Sequence, residues 1–116
     1  MVNPMIKRVS GIKGELEAVE YLINNGYRII QKNYKNKIGE IDVVAIDREY
    51  LCFIEVKKRE TSRYGLPREA VNRQKQEKIK KVATFYLVKN KQTEAQVRFD
   101  VVDILGNEIT LIKNAF

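Results

Sequence analysis

The sequence predicts an α/β fold in which a mixed central sheet is flanked by helices, with elements in the order α-β-β-β-α-β-β. Three observations carry this. Two stretches repeat apolar residues with a helical period, and five shorter ones are rich in β-branched residues bounded by turn formers. The second helical stretch separates the third strand from the fourth, the arrangement that joins parallel neighbours, whereas short turns join the other strands.

The first helix is expected from about Ile12 to Asn25, stopped by Gly26. Val19, Leu22 and Ile23 form its apolar stripe, supported by Ala18. Glu15 lies three residues before Ala18, four before Val19 and seven before Leu22, so it points along the same inward face. An inward carboxylate needs a partner, because an unpaired buried charge is costly. Tyr27–Gln31 reads as the first strand and Asn33–Gly39 as a polar, basic loop. Glu40–Asp47 and Leu51–Lys57 read as a hairpin turning at Arg48-Glu49. A turn-rich loop over Glu60–Pro67 leads to a long helix from Arg68 to Val88, with Val71, Ile79, Val82, Ala83 and Tyr86 at helical spacing. Gln96–Leu105 and Glu108–Ile112 complete the sheet around the turn at Gly106-Asn107.

Length and composition set bounds. The 116 residues, 44% hydrophobic and 32% charged, suit one globular domain over 1–116 that buries a core without staples. The single cysteine rules out an intrachain disulfide and points to a reduced, cytoplasmic setting. Lying in the apolar run Leu51-Cys52-Phe53-Ile54, it reads as a small core side chain. No apolar stretch approaches the roughly 20 residues that span a bilayer, so a membrane role is not expected. The net charge of +7 is concentrated: Lys57 to Lys81 holds ten basic residues against Glu60, Glu69 and Glu77, while the rest of the chain balances. Such a run suits a phosphate backbone, and any affinity built on it falls steeply with salt. Lys58, Arg59, Arg63, Arg68, Arg73 and Lys75 are the expected phosphate contacts, and Tyr64 a stacking residue beside Arg63. The plainer reading is a solvated lysine-rich surface.

The chemistry gathers at one end of the predicted hairpin. Alternation puts Leu51, Phe53, Glu55 and Lys57 on one face of the third strand. Pairing around Arg48-Glu49 sets Asp42 opposite Val56 or Lys57, with Glu55 close by, and the first helix is positioned to add Glu15. Crowded carboxylates repel unless a cation sits among them. Lys57 supplies one charge. A hard divalent ion, Mg²⁺ or Mn²⁺, supplies the rest; with no histidine and one cysteine, the usual zinc ligands are lacking. Such a site polarises a phosphodiester and lowers the pKa of a bound water, with Lys57 orienting the water or stabilising transition-state charge.

Gly39-Glu40-Ile41-Asp42-Val43-Val44-Ala45, followed by Phe53-Ile54-Glu55-Val56-Lys57-Lys58-Arg59, resembles the PD-(D/E)xK nuclease signature. More closely it resembles the YraN-like group of small bacterial proteins, uncharacterised protein family 0102, related in fold to archaeal Holliday-junction resolvases. The likeness covers most of the chain: Gly14-Glu15, Gly26-Tyr27, Tyr64-Gly65-Leu66-Pro67, Lys75-Gln76 and Arg98-Phe99-Asp100-Val101-Val102 recur in order. Ile41 stands where the superfamily signature usually has proline.

The resemblance implies a restriction-endonuclease-like αβββαβ core. It implies Asp42, Glu55 and Glu15 as acidic metal-binding members, Lys57 as catalytic assistant and Gln76 as a helix residue facing the site. It leaves Glu40 in the pattern without a role. The implied activity is Mg²⁺-dependent endonucleolytic cleavage of DNA, including branched or junction DNA; by analogy with the resolvases the resemblance extends to a homodimer. Two other readings compete: a nucleic-acid-binding module of the same fold that does not cut, and an interaction protein whose acidic corner is a salt-bridge cluster. Arg98 and Asp100 share a strand face and read as a structural ion pair.

Overall fold

The computed structural model describes residues 4–60 and 71–116, with the backbone alone described over 4–13. Helix α1 (Pro4–Asn24) ends on Asn25-Gly26-Tyr27. Gly26 takes φ +90°, a left-handed conformation that a side chain would strain. This lets Tyr27 N–H donate to the Leu22 carbonyl (3.0 Å) and Gly26 N–H to that of Ile23 (3.1 Å), satisfying the helix's last acceptors. The strands are β1 (Arg28–Lys35), β2 (Glu40–Asp47), β3 (Tyr50–Arg59), β4 (Gln96–Leu105) and β5 (Glu108–Ile112), with α2 (Arg73–Lys89) between β3 and β4.

The sheet runs β1-β2-β3-β4-β5, and only β3 and β4 are parallel, joined by the α2 crossover. Strand alternation gives the sheet two apolar faces. Ala18 and Leu22 of α1 cover Val43, Ala45, Cys52, Ile54, Val102 and Ile104. Ile79, Val82, Ala83 and Tyr86 of α2 cover Val44, Leu51, Phe53 and Val101. Phe53 packs edge-on against Tyr86 and is stacked with Phe99, so the apolar half of β3 is held before its polar end begins. Cys52 is a buried core thiol, its pKa pushed up to about 12 by burial and by the nearby Asp100 charge. No helix among the described residues is long and apolar enough to cross a membrane.

The element order and mixed sheet match the sequence prediction; several boundaries move. The α1 backbone is helical from Pro4, eight residues before the expected Ile12, and proline is well tolerated in a helix's first turn. β1 runs on to Lys35 because Tyr34, placed in a loop by its polar neighbours, is buried against Tyr86 and pairs with Ile41. The loop shrinks to 36–39, where Asn36 Oδ1 accepts from the N–H groups of Ile38 (2.8 Å) and Gly39 (3.2 Å). α2 begins at Arg73: Asn72 Oδ1 accepts the Lys75 N–H (2.9 Å) and caps it. Val71, expected within the helix, is a core residue just before the cap. The expected helix start at Arg68, and Arg63 and Tyr64, lie outside the described residues.

At the hairpin end of the sheet, Arg98 binds Asp100 (2.9 Å) and Asp47 (2.7 Å), Lys113 also binds Asp47 (3.0 Å), and the Tyr27 hydroxyl donates to Asp100 (2.7 Å). The predicted Arg98–Asp100 pair is thus part of a buried structural network. Its hydrogen bonds hold Arg98 above its ordinary pKa despite burial, and Tyr27 is raised by burial and by Asp100.

Candidate metal and nucleic-acid site

At the opposite end of the hairpin the strands part. Pairing of β2 with β3 stops at Val43 and Ile54. The next residues by count, Asp42 and Glu55, would face one another, one step tighter than the predicted Asp42 opposite Val56 or Lys57. Instead, Asp42 Oδ2 accepts the Val56 N–H at 2.8 Å. A side chain thereby takes a donor that strand pairing would otherwise satisfy, and the ladder opens without leaving that N–H unmet. The capped N-terminus of α2 closes the gap from one side and the 36–39 loop from another.

The resulting cavity, about 440 Å³, is lined by Ile38, Gly39, Glu40, Asp42, Glu55, Asn72, Gln74, Lys75, Lys78 and Ile79. Glu55 is buried, and its Oε1 lies 2.6 Å from Lys75 Nζ. Burial, then the Glu55 charge, push the Asp42 carboxyl up to about 7 against the opposing Val56 hydrogen bond; Glu40 and Glu15 add smaller pushes. Burial alone would lower Lys75. The Glu55 hydrogen bond and the charges of Glu55, Asp42 and Glu40 outweigh it and hold Lys75 above its ordinary value, as a firm cation.

The expected site residues divide. Asp42 and Glu55 share the cavity. Glu15 is half-buried on α1 and near enough for its charge to reach Asp42. The helix crosses the end of β3 closely there: a Cβ on Gly14 would sit 3.0 Å from Lys58 Cδ. Lys57 is exposed on the strand face that carries Glu55, and is not among the described residues lining the cavity. Neither is Gln76, whose Nε2 donates to the Val71 carbonyl (3.0 Å). Arg59 binds the buried Asp103 (3.1 Å), Lys58 is half-buried beside α1, and Arg73 is exposed at the start of α2. Arg68 lies outside the described residues.

Two features escaped the sequence reading. Lys75, expected as a phosphate contact, is ion-paired with Glu55 inside the cavity. Glu40, left without a role, lines the cavity and acts on both Asp42 and Lys75. The missed signal was Asn72: recognised as a helix cap, it starts α2 at Arg73 and puts Lys75 in the first turn, aimed at the end of β3.

The donor set is all oxygen, which suits a hard cation. Among the described residues no three His, Cys, Asp or Glu side chains converge as a ready-made cage. Two carboxylates in a roomy polar cavity match Mg²⁺, which keeps several waters and takes one or two carboxylates. They do not match Ca²⁺, which asks for six to eight oxygens. The Asp42 carboxyl is raised by burial first and by the neighbouring negative charge second, and a bound cation would offset both.

Residues 14–104 match the model of the uncharacterised protein family UPF0102. A UPF0102 protein of Acetivibrio thermocellus is 47% identical over 98% of this chain and 95% of its own. One of Persephonella marina is 44% identical over 97% of each, and one of Lachnoclostridium phytofermentans 48% identical over 97% of this chain and 96% of its own. The matched span holds both strands of the acidic hairpin, the cap of α2 and Arg98 with Asp47, Asp100 and Tyr27, and on this ground the chain belongs to uncharacterised protein family UPF0102.

Proposed function

We propose that the Asp42–Glu55 cavity is the Mg²⁺ site of an endonuclease that hydrolyses nucleic-acid phosphodiester bonds, DNA first among them. One observation carries this reading. Two acids from adjacent strands line one open cavity where the ladder parts, and burial, then the Glu55 charge, pushes Asp42 up to about 7. The likeness of the two strand motifs to the PD-(D/E)xK signature supports it, as does the five-stranded mixed sheet with an αβββαβ core.

In this reading Asp42 and Glu55 hold the cation and Glu15 adds negative charge from α1. An ion held there would supply Lewis acidity at a phosphate and lower the pKa of a bound water. Lys75, kept cationic by its acidic neighbours, holds Glu55 in place and would offer its charge to a phosphate entering the cavity. Lys57, exposed on the same strand face, stabilises charge on the departing oxygen. The α2 N-terminus favours an anion at the mouth of the cavity. Lys78 and Arg73 extend the basic surface along which the strand lies.

A second reading has its own observation. The 2.6 Å ion pair with Lys75 already satisfies Glu55 without any metal, as a salt-bridged corner of a non-catalytic binding module would. Purified protein incubated with duplex, single-stranded, flap and four-way-junction DNA, with Mg²⁺, Mn²⁺ or chelator, separates the two. Metal-dependent cleavage that disappears in Asp42→Ala and Lys57→Ala is the expected result. Salt-sensitive binding with no cleavage under any metal condition transfers the case to the binding module.

A further inference from the structure

A single stripe of α2 links the acidic cavity to an apolar depression. Gln74, Lys78, Lys81, Phe85 and Val88 recur at steps of four and three residues, so they stand in one row along the helix. The near end of the row, Gln74 and Lys78, lines the Asp42–Glu55 cavity. The far end, Lys81, Phe85 and Val88, lines a shallow depression with Ile38, which also walls the cavity. The apolar members are well exposed: Phe85 50%, Val88 61% and Ile38 44%. Isolated exposed apolar side chains are ordinary, but three around one hollow mark a contact surface.

The rim says what makes contact. Lys81 lines the hollow, Lys37 lines an adjoining depression that shares Ile38 and Phe85 with it, and α2 as a whole carries six basic residues against Glu77 alone. A second copy docking through this face would set lysines against lysines. A chain that alternates flat apolar groups with regular negative charge matches both features at once. Lys78 to Phe85 spans about 10 Å of helix, roughly the axial length of three stacked nucleotides. Bases inside a duplex already stack on one another and offer no free face.

We propose that Phe85, with Ile38 and Val88, is a stacking platform for an unpaired base of single-stranded nucleic acid. The flanking phosphates lie on Lys37, Lys78 and Lys81, which deliver the strand into the acidic cavity. This rests on the nuclease reading and deepens it, since the substrate must carry unpaired nucleotides beside the bond that is cut.

The test is metal-free binding, measured by fluorescence anisotropy in chelator with a labelled oligothymidylate and a blunt duplex of equal length. Phe85→Ala is expected to weaken single-strand binding about 5- to 100-fold, the range of one lost base stack, and to change duplex binding less than about twofold. The chain has no tryptophan, so Phe85→Trp places a sole reporter on the platform. Its affinity is expected to hold and its fluorescence to be quenched as the oligonucleotide saturates. Single-strand affinity unchanged in Phe85→Ala, equal losses for both DNAs, or no quenching overturns the platform. So does a sedimentation profile in which Phe85→Ala turns a dimer into a monomer, which would give the patch to a second copy. Metal-dependent cutting with an inert Phe85 sinks the platform alone. Stacking without cutting under any metal leaves the platform and removes the nuclease.

Discussion

Replacing Asp42 by asparagine is expected to stabilise the fold at alkaline pH while abolishing the activity proposed for it. In the folded chain, burial and the Glu55 charge push this carboxyl from 3.8 to about 7. The fold therefore prefers the neutral form. The stability tied to Asp42 is whole below about pH 4, declines as pH rises, and is lost once pH passes about 7. A gap of about three on the pH scale sets a ceiling of roughly 4 kcal/mol. Water at the cavity mouth reduces it, and we expect roughly 1–3 kcal/mol at about pH 8. Asparagine keeps an oxygen for the Val56 N–H, so the bond that replaces the ladder survives and only the charge is removed. Urea denaturation is the assay, run near pH 4, near pH 6 and near pH 8, with and without Mg²⁺. The variant's advantage should be absent at the first, partial at the second and full, about 1–3 kcal/mol, at the third. Mg²⁺ should stabilise the wild type and leave the variant unmoved. An Asp42→Asn protein that is less stable than wild type near pH 8, or equally favoured at all three values, refutes the reasoning.

Three further outcomes follow from the same structure. Lys75→Met strips Glu55 of its ammonium. Because Lys75 is half exposed, the loss should be only about 0.5–1.5 kcal/mol by urea denaturation, and Mg²⁺ should restore more of it than Na⁺ at equal ionic strength. Asp100→Ala takes from Arg98 one of its two carboxylates and leaves the buried Tyr27 hydroxyl and the Asn114 N–H without their acceptor, so we expect a loss of about 3–5 kcal/mol, with metal-dependent cleavage preserved at temperatures where the variant stays folded. Asp47 works in the opposite sense to Asp42. Burial would raise it, but Arg98 and Lys113 outweigh that and hold it low, so the stability it contributes is present above about pH 4 and lost as pH falls further. Lys113→Gln should shift the acid-unfolding midpoint upward, and an unchanged midpoint would count against the assignment.

The parts of the fold legible in the sequence were those where one periodicity dominates. β2, β3 and β4 were readable because Val43-Val44-Ala45, Leu51-Cys52-Phe53-Ile54 and Val101-Val102 leave no helical alternative of sufficient length. The two ends of the molecule were harder. Tyr34 belongs to β1 only because α2 brings Tyr86 against it, a tertiary contact no local pattern announces. The expected hairpin register was off by one because a two-residue turn at Arg48-Glu49 pairs Asp47 with Tyr50 and so counts Asp42 against Glu55; that the ladder ends before this pair, with Asp42 binding the Val56 N–H, no count announces. Asp42 and Glu55 were legible as neighbours because a two-residue turn leaves little freedom. Lys75 was not, since its place depends on where α2 begins and how that helix lies across the sheet.

The two polar clusters of this sheet differ in a way that argues for separate purposes. At the hairpin end, Asp47 and Asp100 are met by Arg98, Lys113, the Tyr27 hydroxyl and the Asn114 N–H, which binds Asp100 at 2.9 Å. Charge and hydrogen bonds there are saturated, and a saturated buried network holds strands in register. At the parting of β2 and β3 the balance fails. Among the described residues, Lys75 is the one cation ion-paired with the Asp42, Glu55 and Glu40 group. A fold selected for stability alone has a cheaper choice there, because an apolar pair between two β-branched strands would extend the core and close the ladder. Keeping two crowded acids instead holds the hairpin open and raises the Asp42 carboxyl. Open space with excess negative charge is a liability to the folded chain and an asset to a site that recruits a divalent cation. The gain predicted for Asp42→Asn measures that conflict: its size is the stability this chain gives up to keep the acidic corner charged.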